Sequence, residues 1–328
     1  KKGVSKIATD KLLDEVLPLL NKKRIVAQPI GTYMGAWQTT LENQKMLELI
    51  RGINSYKAYR GASTEPYGVF WLEINKVFSD GNVLIHNLAS RGKKSIKDVI
   101  EVLEPDLIYP SVSGAEIERW GIKATNILLM VQNPKTREPF TESEMKMNWP
   151  RTYNYLTKFK DILESRGSRP ILELARRTAF YTMYGISSNT VATYKVVWKR
   201  MAKDIIASVV STSKTKIGYK TIIPTDTTSF FAANNESEAH YLCAIINSNP
   251  VRDFIKSFSS AGRGFGTPSV MEHVGIPKFD PQNALHLKLA EISKQCHQLK
   301  LEGKDEEIKK LEKENDALVE ELFGISHE

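Results

Sequence analysis

Tyr194-Lys-Val-Val-Trp-Lys-Arg200 is the stretch on which the fold turns. Its β-branched and aromatic residues favour a strand. A period of two then places Lys195, Val197 and Lys199 on one face and Val196, Trp198 and Arg200 on the other. Downstream, Ile205 to Val210 and Thr221-Ile-Ile223 are again strand-like, and Ala233 to Phe258 reads as a helix pair interrupted at Asn249-Pro250. Upstream, Trp149 to Arg166 reads as a helix that is basic on one side. Before it come short strands: Gly68-Val-Phe-Trp-Leu-Glu-Ile74 and Asn82-Val-Leu-Ile-His86, separated by the turn Ser79-Asp80-Gly81, then Leu107-Ile-Tyr109 ending at Pro110, and Ile127 to Val131. Helical spacing returns in the lead-in, from Asp10 to Asn21 and from Leu41 to Arg51.

The last segment carries the sharpest periodicity. Leu285, Leu289, Ile292, Cys296 and Leu299 alternate spacings of four and three, and after Glu302-Gly303-Lys304 a second seam runs through Ile308, Leu311, Asn315, Leu318 and Leu322. This is an antiparallel helical hairpin, either a free-standing coiled coil or two amphipathic helices laid on the body. The expected fold is α+β: a mixed α/β body with short strands and a C-terminal antiparallel helical hairpin. Residues 1–55 form a helical lead-in, 56–280 the body and 281–328 the coiled-coil-like hairpin.

Composition narrows the function. The chain has 328 residues, 41% hydrophobic and 26% charged, which suits a globular core. No apolar run reaches the ~18–20 residues of a membrane span. Two cysteines, Cys243 and Cys296, cannot build a disulfide framework or a four-ligand zinc site, so a reducing, cytoplasmic setting is expected. The chain opens Lys1-Lys2-Gly3 without Met and reads as a piece of something longer. With 46 Lys+Arg against 38 Asp+Glu, the net charge of +8 points toward a polyanion.

Catalytic signatures are missing. There is no Walker sequence, no G-x-S-x-G elbow and no H-E-x-x-H, and the six histidines are scattered. Ala261-Gly-Arg-Gly-Phe-Gly-Thr-Pro268 is glycine-rich but lacks dinucleotide spacing. Cys243 sits in an apolar helical run and reads as a buried thiol. Pro105-Asp106 with Glu144-Met-Lys146 mimics a nuclease carboxylate–lysine pattern at wide spacing. The chain alone is expected to be non-catalytic, with no cofactor or metal of its own.

Four segments combine cations with aromatic or small residues, as nucleic-acid surfaces do. Ser111 to Trp120 offers Arg119 and Trp120. Trp149-Pro-Arg-Thr-Tyr-Asn-Tyr155 offers Arg151 and Tyr153. The Tyr194 strand offers Lys195, Trp198, Lys199 and Arg200. The loop Gly262-Arg-Gly-Phe-Gly266 offers Arg263 and Phe265, with Gly262, Gly264 and Gly266 admitting close approach.

Taken in order, these motifs resemble the C-terminal part of TaqI-like adenine-specific DNA methyltransferases and their fused restriction–modification relatives. The resemblance rests on Ile108-Tyr-Pro-Ser-Val-Ser-Gly-Ala-Glu-Ile-Glu-Arg-Trp-Gly121, Tyr194 to Met201, and Asn235 to Val251. It continues through Gly262 to Pro268, Ile276-Pro-Lys-Phe-Asp280 and Glu321-Leu-Phe-Gly-Ile-Ser326. Gly61-Ala-Ser-Thr-Glu65 departs from the family's Gly-x-x-Thr-Gly turn, and the hairpin is similar to the spacer helices of type I specificity subunits. The resemblance implies that 56–280 is a target-recognition domain for double-stranded DNA. A methyltransferase domain would precede it in the same chain, holding S-adenosylmethionine and the flipped adenine. The thirteen residues named in the four segments would then be the DNA contacts, and the hairpin could mediate a self- or subunit contact. A protein-interaction module and a nuclease fragment with residual activity stand as alternatives.

Overall fold

The computed structural model describes residues 12–19, 28–29, 37–38, 44–92, 94–259 and 264–325. The chain divides into two compact units, Lys1–Gln44 and Lys45–Glu328. In the first, the described elements are one helical turn α1 (Leu13–Val16), a 3-10 turn (Leu17–Leu19) and two antiparallel strands, β1 (Gln28–Pro29) and β2 (Trp37–Gln38). The ends of the helix expected from Asp10 to Asn21 lie outside the described residues.

Helix α2 (Gln44–Ile50) starts at the boundary, and the second unit continues with β3 (Tyr59–Arg60), α3 (Tyr67–Phe70) and β4 (Trp71–Val77). The strand expected from Gly68 therefore starts late: Val69 N–H closes a turn on Pro66 O, and the chain becomes extended only at Trp71. Then follow β5 (Val83–Asn87), β6 (Ile100–Leu103), β7 (Ile108–Val112), β8 (Ile117–Glu118), β9 (Gly121–Ile122) and β10 (Asn126–Leu129). Four helices come next: α4 (Glu142–Asn148), α5 (Pro150–Thr157), α6 (Lys160–Glu164) and α7 (Arg169–Arg177). Thr141 caps α4 through Glu144, so this glutamate of the nuclease-like pattern is engaged in a capping box.

The remaining strands are β11 (Tyr194–Lys199), β12 (Ala207–Val210), β13 (Thr212–Thr215), β14 (Gly218–Thr221), β15 (Ile223–Pro224) and β16 (Thr228–Ala233). Helices α8 (Glu236–Asn247), α9 (Asn249–Phe258), α10 (Pro268–Met271), α11 (Ala284–Glu302) and α12 (Asp305–Leu322) complete the chain. Ser248 caps α9, and Pro250 in its first turn costs no hydrogen bond.

Two sheets organise this unit: a six-stranded one in the order β15-β7-β10-β4-β5-β6 and a four-stranded one in the order β12-β11-β16-β3. The first packs its apolar face with Tyr155 and Leu156 of α5, Phe159 at the start of α6 and Leu163 of α6. Strand β11 lies between two cores. Val196 and Trp198 enter the helical core with α8 and α11, whereas Val197 packs with Val112, Ile117 and Phe230. Both faces of this strand are thus covered, although an antiparallel sheet commonly leaves one face to solvent. The mixed helix and strand content and the C-terminal helix pair make this an α+β fold.

The hairpin turns at Gly303, whose φ of 72° is the left-handed conformation that suits a helix C-terminus. It is packed on the body: Leu289, Ile292, Cys296, Leu318 and Val319 share one core with Tyr241 to Ile246 of α8. Among the described residues, no helix is long and apolar enough to cross a membrane.

Candidate nucleic-acid interface

Strand β11 runs out at Lys199, and three loops meet its end. Arg200 donates its N–H to Thr227 O at 3.1 Å and accepts from Gly266 N–H at 3.0 Å. Gly266 O in turn receives Trp198 Nε1–H at 2.9 Å and Ser229 Oγ–H at 2.8 Å. A Cβ on Gly266 would stand 1.9 Å from Lys199 O, so only glycine fits there. The turn at Gly114 docks on the same place, giving its N–H to Thr227 Oγ1 at 2.9 Å.

Asp226 is the hub beside this junction. Its carbonyl accepts from Arg200 Nη1 at 2.6 Å, and its Oδ2 accepts from Tyr67 OH at 2.9 Å and lies 4.0 Å from Arg60 Nη2. Burial, with the Arg60 charge as a lesser cause, holds the Arg200 guanidinium below its ordinary value, and its Nε is buried without a partner. Burial first, then the Asp226 charge, pushes the Tyr67 hydroxyl up, so it stays a donor. A cleft of about 200 Å³ opens here, lined by Arg60, Ser63, Glu65, Ser168, Tyr184 and Asp226 among others.

The sequence-derived residues divide sharply. Lys199 and Arg200 are partly exposed at the junction, and Gly264 is exposed beside them. Gly262 and Arg263 lie outside the described residues. Gly266 and Phe265 are buried, and the glycine answers the close approach of the Lys199 main chain. Trp198 is fully buried with its indole N–H satisfied. Lys195 is 0% exposed, bonded to Ala192 O and, at 3.1 Å, to Thr221 Oγ1, and burial lowers it to about 7. The expectation that its strand face meets DNA is corrected by the second core covering that face.

Trp120 is buried, and Arg119, partly exposed, is engaged within the fold. Arg119 Nη1 donates to Asn247 O at 3.0 Å and to Glu312 Oε1 at 3.3 Å, and Trp120 Nε1 donates to the same oxygen at 2.8 Å. Asn247 ends α8, so the guanidinium satisfies an orphan carbonyl at the negative end of the helix dipole. Asn315, on the second seam, does the same for Ala244 O at 2.9 Å. These residues fasten the hairpin to the body.

Arg151 is exposed, but its surroundings are Glu104, which caps α5, and Asp80 in the β4–β5 turn, not the Asp226 junction. Tyr153 is half-buried, donates to Glu142 Oε2 at 2.7 Å and carries Lys146 Nζ 4.9 Å from its ring centre. Sequence reasoning missed Arg60, Tyr67 and Asp226. A two-residue strand leaves no period, and an Asp in a turn reads as turn chemistry.

Among the described residues no group of three His, Cys, Asp or Glu is placed to hold a metal ion. Cys243 is fully buried and burial pushes its thiol up, while burial pushes the Cys296 thiol up to about 12.

No protein-family profile matches the chain. Type II methyltransferase M.NspV of Nostoc sp. is 24% identical to it over 209 residues, which is 64% of this chain and 41% of that protein. The chain is distantly related to a type II methyltransferase. It spans less than half the length of that relative.

Proposed function

We propose that this chain binds double-stranded DNA and reads its sequence as the target-recognition part of an adenine-specific DNA methyltransferase of a restriction–modification system. One observation carries the reading: strand end, glycine loop, Gly114 turn and Asp226 turn converge on a single edge that presents Arg60, Lys199 and Arg200. Loops held by a rigid sheet are where recognition residues are commonly placed. The distant relationship to a type II methyltransferase supports DNA as the partner.

In this reading a preceding methyltransferase domain supplies S-adenosylmethionine and transfers its methyl group to the exocyclic amino nitrogen of a flipped adenine. This chain holds the duplex in register. Lys199 neutralises phosphate, and the arginines serve phosphate or base edges. The helical hairpin, fixed by Arg119, Trp120 and Asn315, shares the core that Val196 and Trp198 of β11 enter.

Titration of the chain against a labelled duplex and the same single strand tests this. Preferential duplex binding is expected, and equal binding to both, or to neither, contradicts it.

A further inference from the structure

Arg60 lies on β3, the edge strand of the four-stranded sheet, where it pairs with Ser229. Its side chain is 45% exposed, and Asp226 is its ion-pair partner among the described residues. That partner is itself fixed twice. Tyr67 OH donates to Oδ2 at 2.9 Å, the same oxygen that faces Arg60, while Arg200 Nη1 grips the Asp226 carbonyl at 2.6 Å. Arg60 thus keeps an exposed guanidinium beside a fixed carboxylate, and an ion-pair partner that narrows its rotamers lowers the side-chain freedom lost when the fork engages a ligand.

The cleft chemistry selects the ligand. Beside Arg60 it carries two carboxylates, Glu65 and Asp226. A phosphate diester entering there would face two like charges, a repulsion that costs more where water is displaced. A neutral base edge meets no such penalty. Of the base edges, guanine offers two acceptors, O6 and N7, at the spacing of an arginine fork. The exposed ring of Tyr184, on the cleft wall, adds a planar surface for a neighbouring base or sugar. Arg200 grips the carbonyl of Asp226, so both guanidinium groups meet the same residue.

We infer that Arg60 reads the acceptor edge of a guanine in the target duplex, with Asp226 and Tyr67 as the positioning residues that aim it. This rests on the reading of the chain as a DNA-binding domain and deepens it by naming the base and the residue.

The test is selection from a pool of duplexes with a randomised segment. Affinities for the selected duplex, for versions with each guanine replaced, and for a scrambled duplex are then measured at several salt concentrations. For the native chain, replacing one particular guanine pair lowers affinity about 5- to 150-fold. Arg60→Lys and Arg60→Ala abolish that discrimination while preference at other positions persists. Arg60→Lys, which keeps the cation but not the fork, loses more affinity for the selected duplex than for the scrambled one, read beside the slope of log affinity against log salt. Asp226→Asn and Tyr67→Phe weaken discrimination at the same guanine without changing the slope. If Arg60→Ala instead weakens selected and scrambled duplexes equally and lowers the slope by about one, Arg60 is a phosphate contact and the inference falls. If the variants select the same string with undiminished discrimination, the inference falls and the DNA-binding reading stands. A native chain that binds no duplex overturns both. Equal thermal midpoints for native protein and Arg60→Lys exclude misfolding as the cause of lost discrimination.

Discussion

Gly266→Ala puts the junction under the most direct structural strain. The added methyl would sit 1.9 Å from Lys199 O, well inside any permitted contact, and the obstacle is backbone at a strand end, so the loop must move. Movement breaks the bonds that Gly266 O receives from Trp198 Nε1 and Ser229 Oγ, and both donors are fully buried. Each buried donor left unpaired costs about 1–3 kcal/mol. Phe265, fully buried beside it, is a side chain worth about 1.5–3 kcal/mol of burial and is pulled partly out. Partial relaxation keeps these from adding in full, and a loss of about 3–5 kcal/mol is expected. That is a large fraction of the stability of a typical domain. Gly264→Ala is the control: its methyl meets nothing within 4 Å, so it should stay within about 0.5 kcal/mol. Urea unfolding followed by tryptophan fluorescence gives both numbers, and duplex titration should show Gly266→Ala weakened. A loss below about 1 kcal/mol with unchanged duplex affinity would refute the claim that this loop is bolted to the strand end.

The other expectations follow from groups that burial has claimed. Lys195→Met should leave duplex affinity and its salt slope unchanged, since the side chain is fully buried and its ammonium is bonded within the fold; a slope reduced by about one would return Lys195 to the DNA surface. Burial lowers His297 to about 4 and His240 to about 3, so both are neutral in the folded chain at neutral pH. His297 Nε2 accepts Val209 N–H at 3.0 Å, and His240 Nδ1 meets Ser293 Oγ at 3.0 Å, a latch between α11, β12 and α8. Below about pH 6.5 the unfolded chain binds protons that the folded chain refuses. Stability is therefore complete above that pH and falls as pH drops toward 4, by roughly 3 kcal/mol for His297. Comparing the pH dependence of unfolding with that of His297→Gln checks this, and equal slopes between pH 6.5 and 4 would exclude the latch.

The hairpin and most strands were legible because their periods belong to a single element. Alternation on β11 correctly assigned Val196 and Trp198 to one side and Val197 to the other. It could not say that both sides are roofed, because the second roof comes from Val112, Ile117 and Phe230, distant in sequence. Lys195 was misread for that reason. Arg119 and Trp120 show why the pattern is ambiguous: a cation beside an aromatic serves a helix end and a glutamate as well as it serves DNA. Gly266 was flagged for close approach of DNA, whereas the group that comes close in the structure is the chain's own carbonyl. Arg60 escaped notice since its role depends on Asp226, 166 positions away, rather than on any local pattern.

The central claim is that an edge bearing Arg60, Lys199 and Arg200 grips duplex DNA. It is tested most directly by the dependence of duplex affinity on salt, measured for the native chain and for Lys199→Ala. With about four phosphates engaged, log affinity should fall against log salt with a slope of about −4, and Lys199→Ala should flatten it by about one. A native slope near zero, or a variant whose slope and affinity match the native chain, would contradict the account.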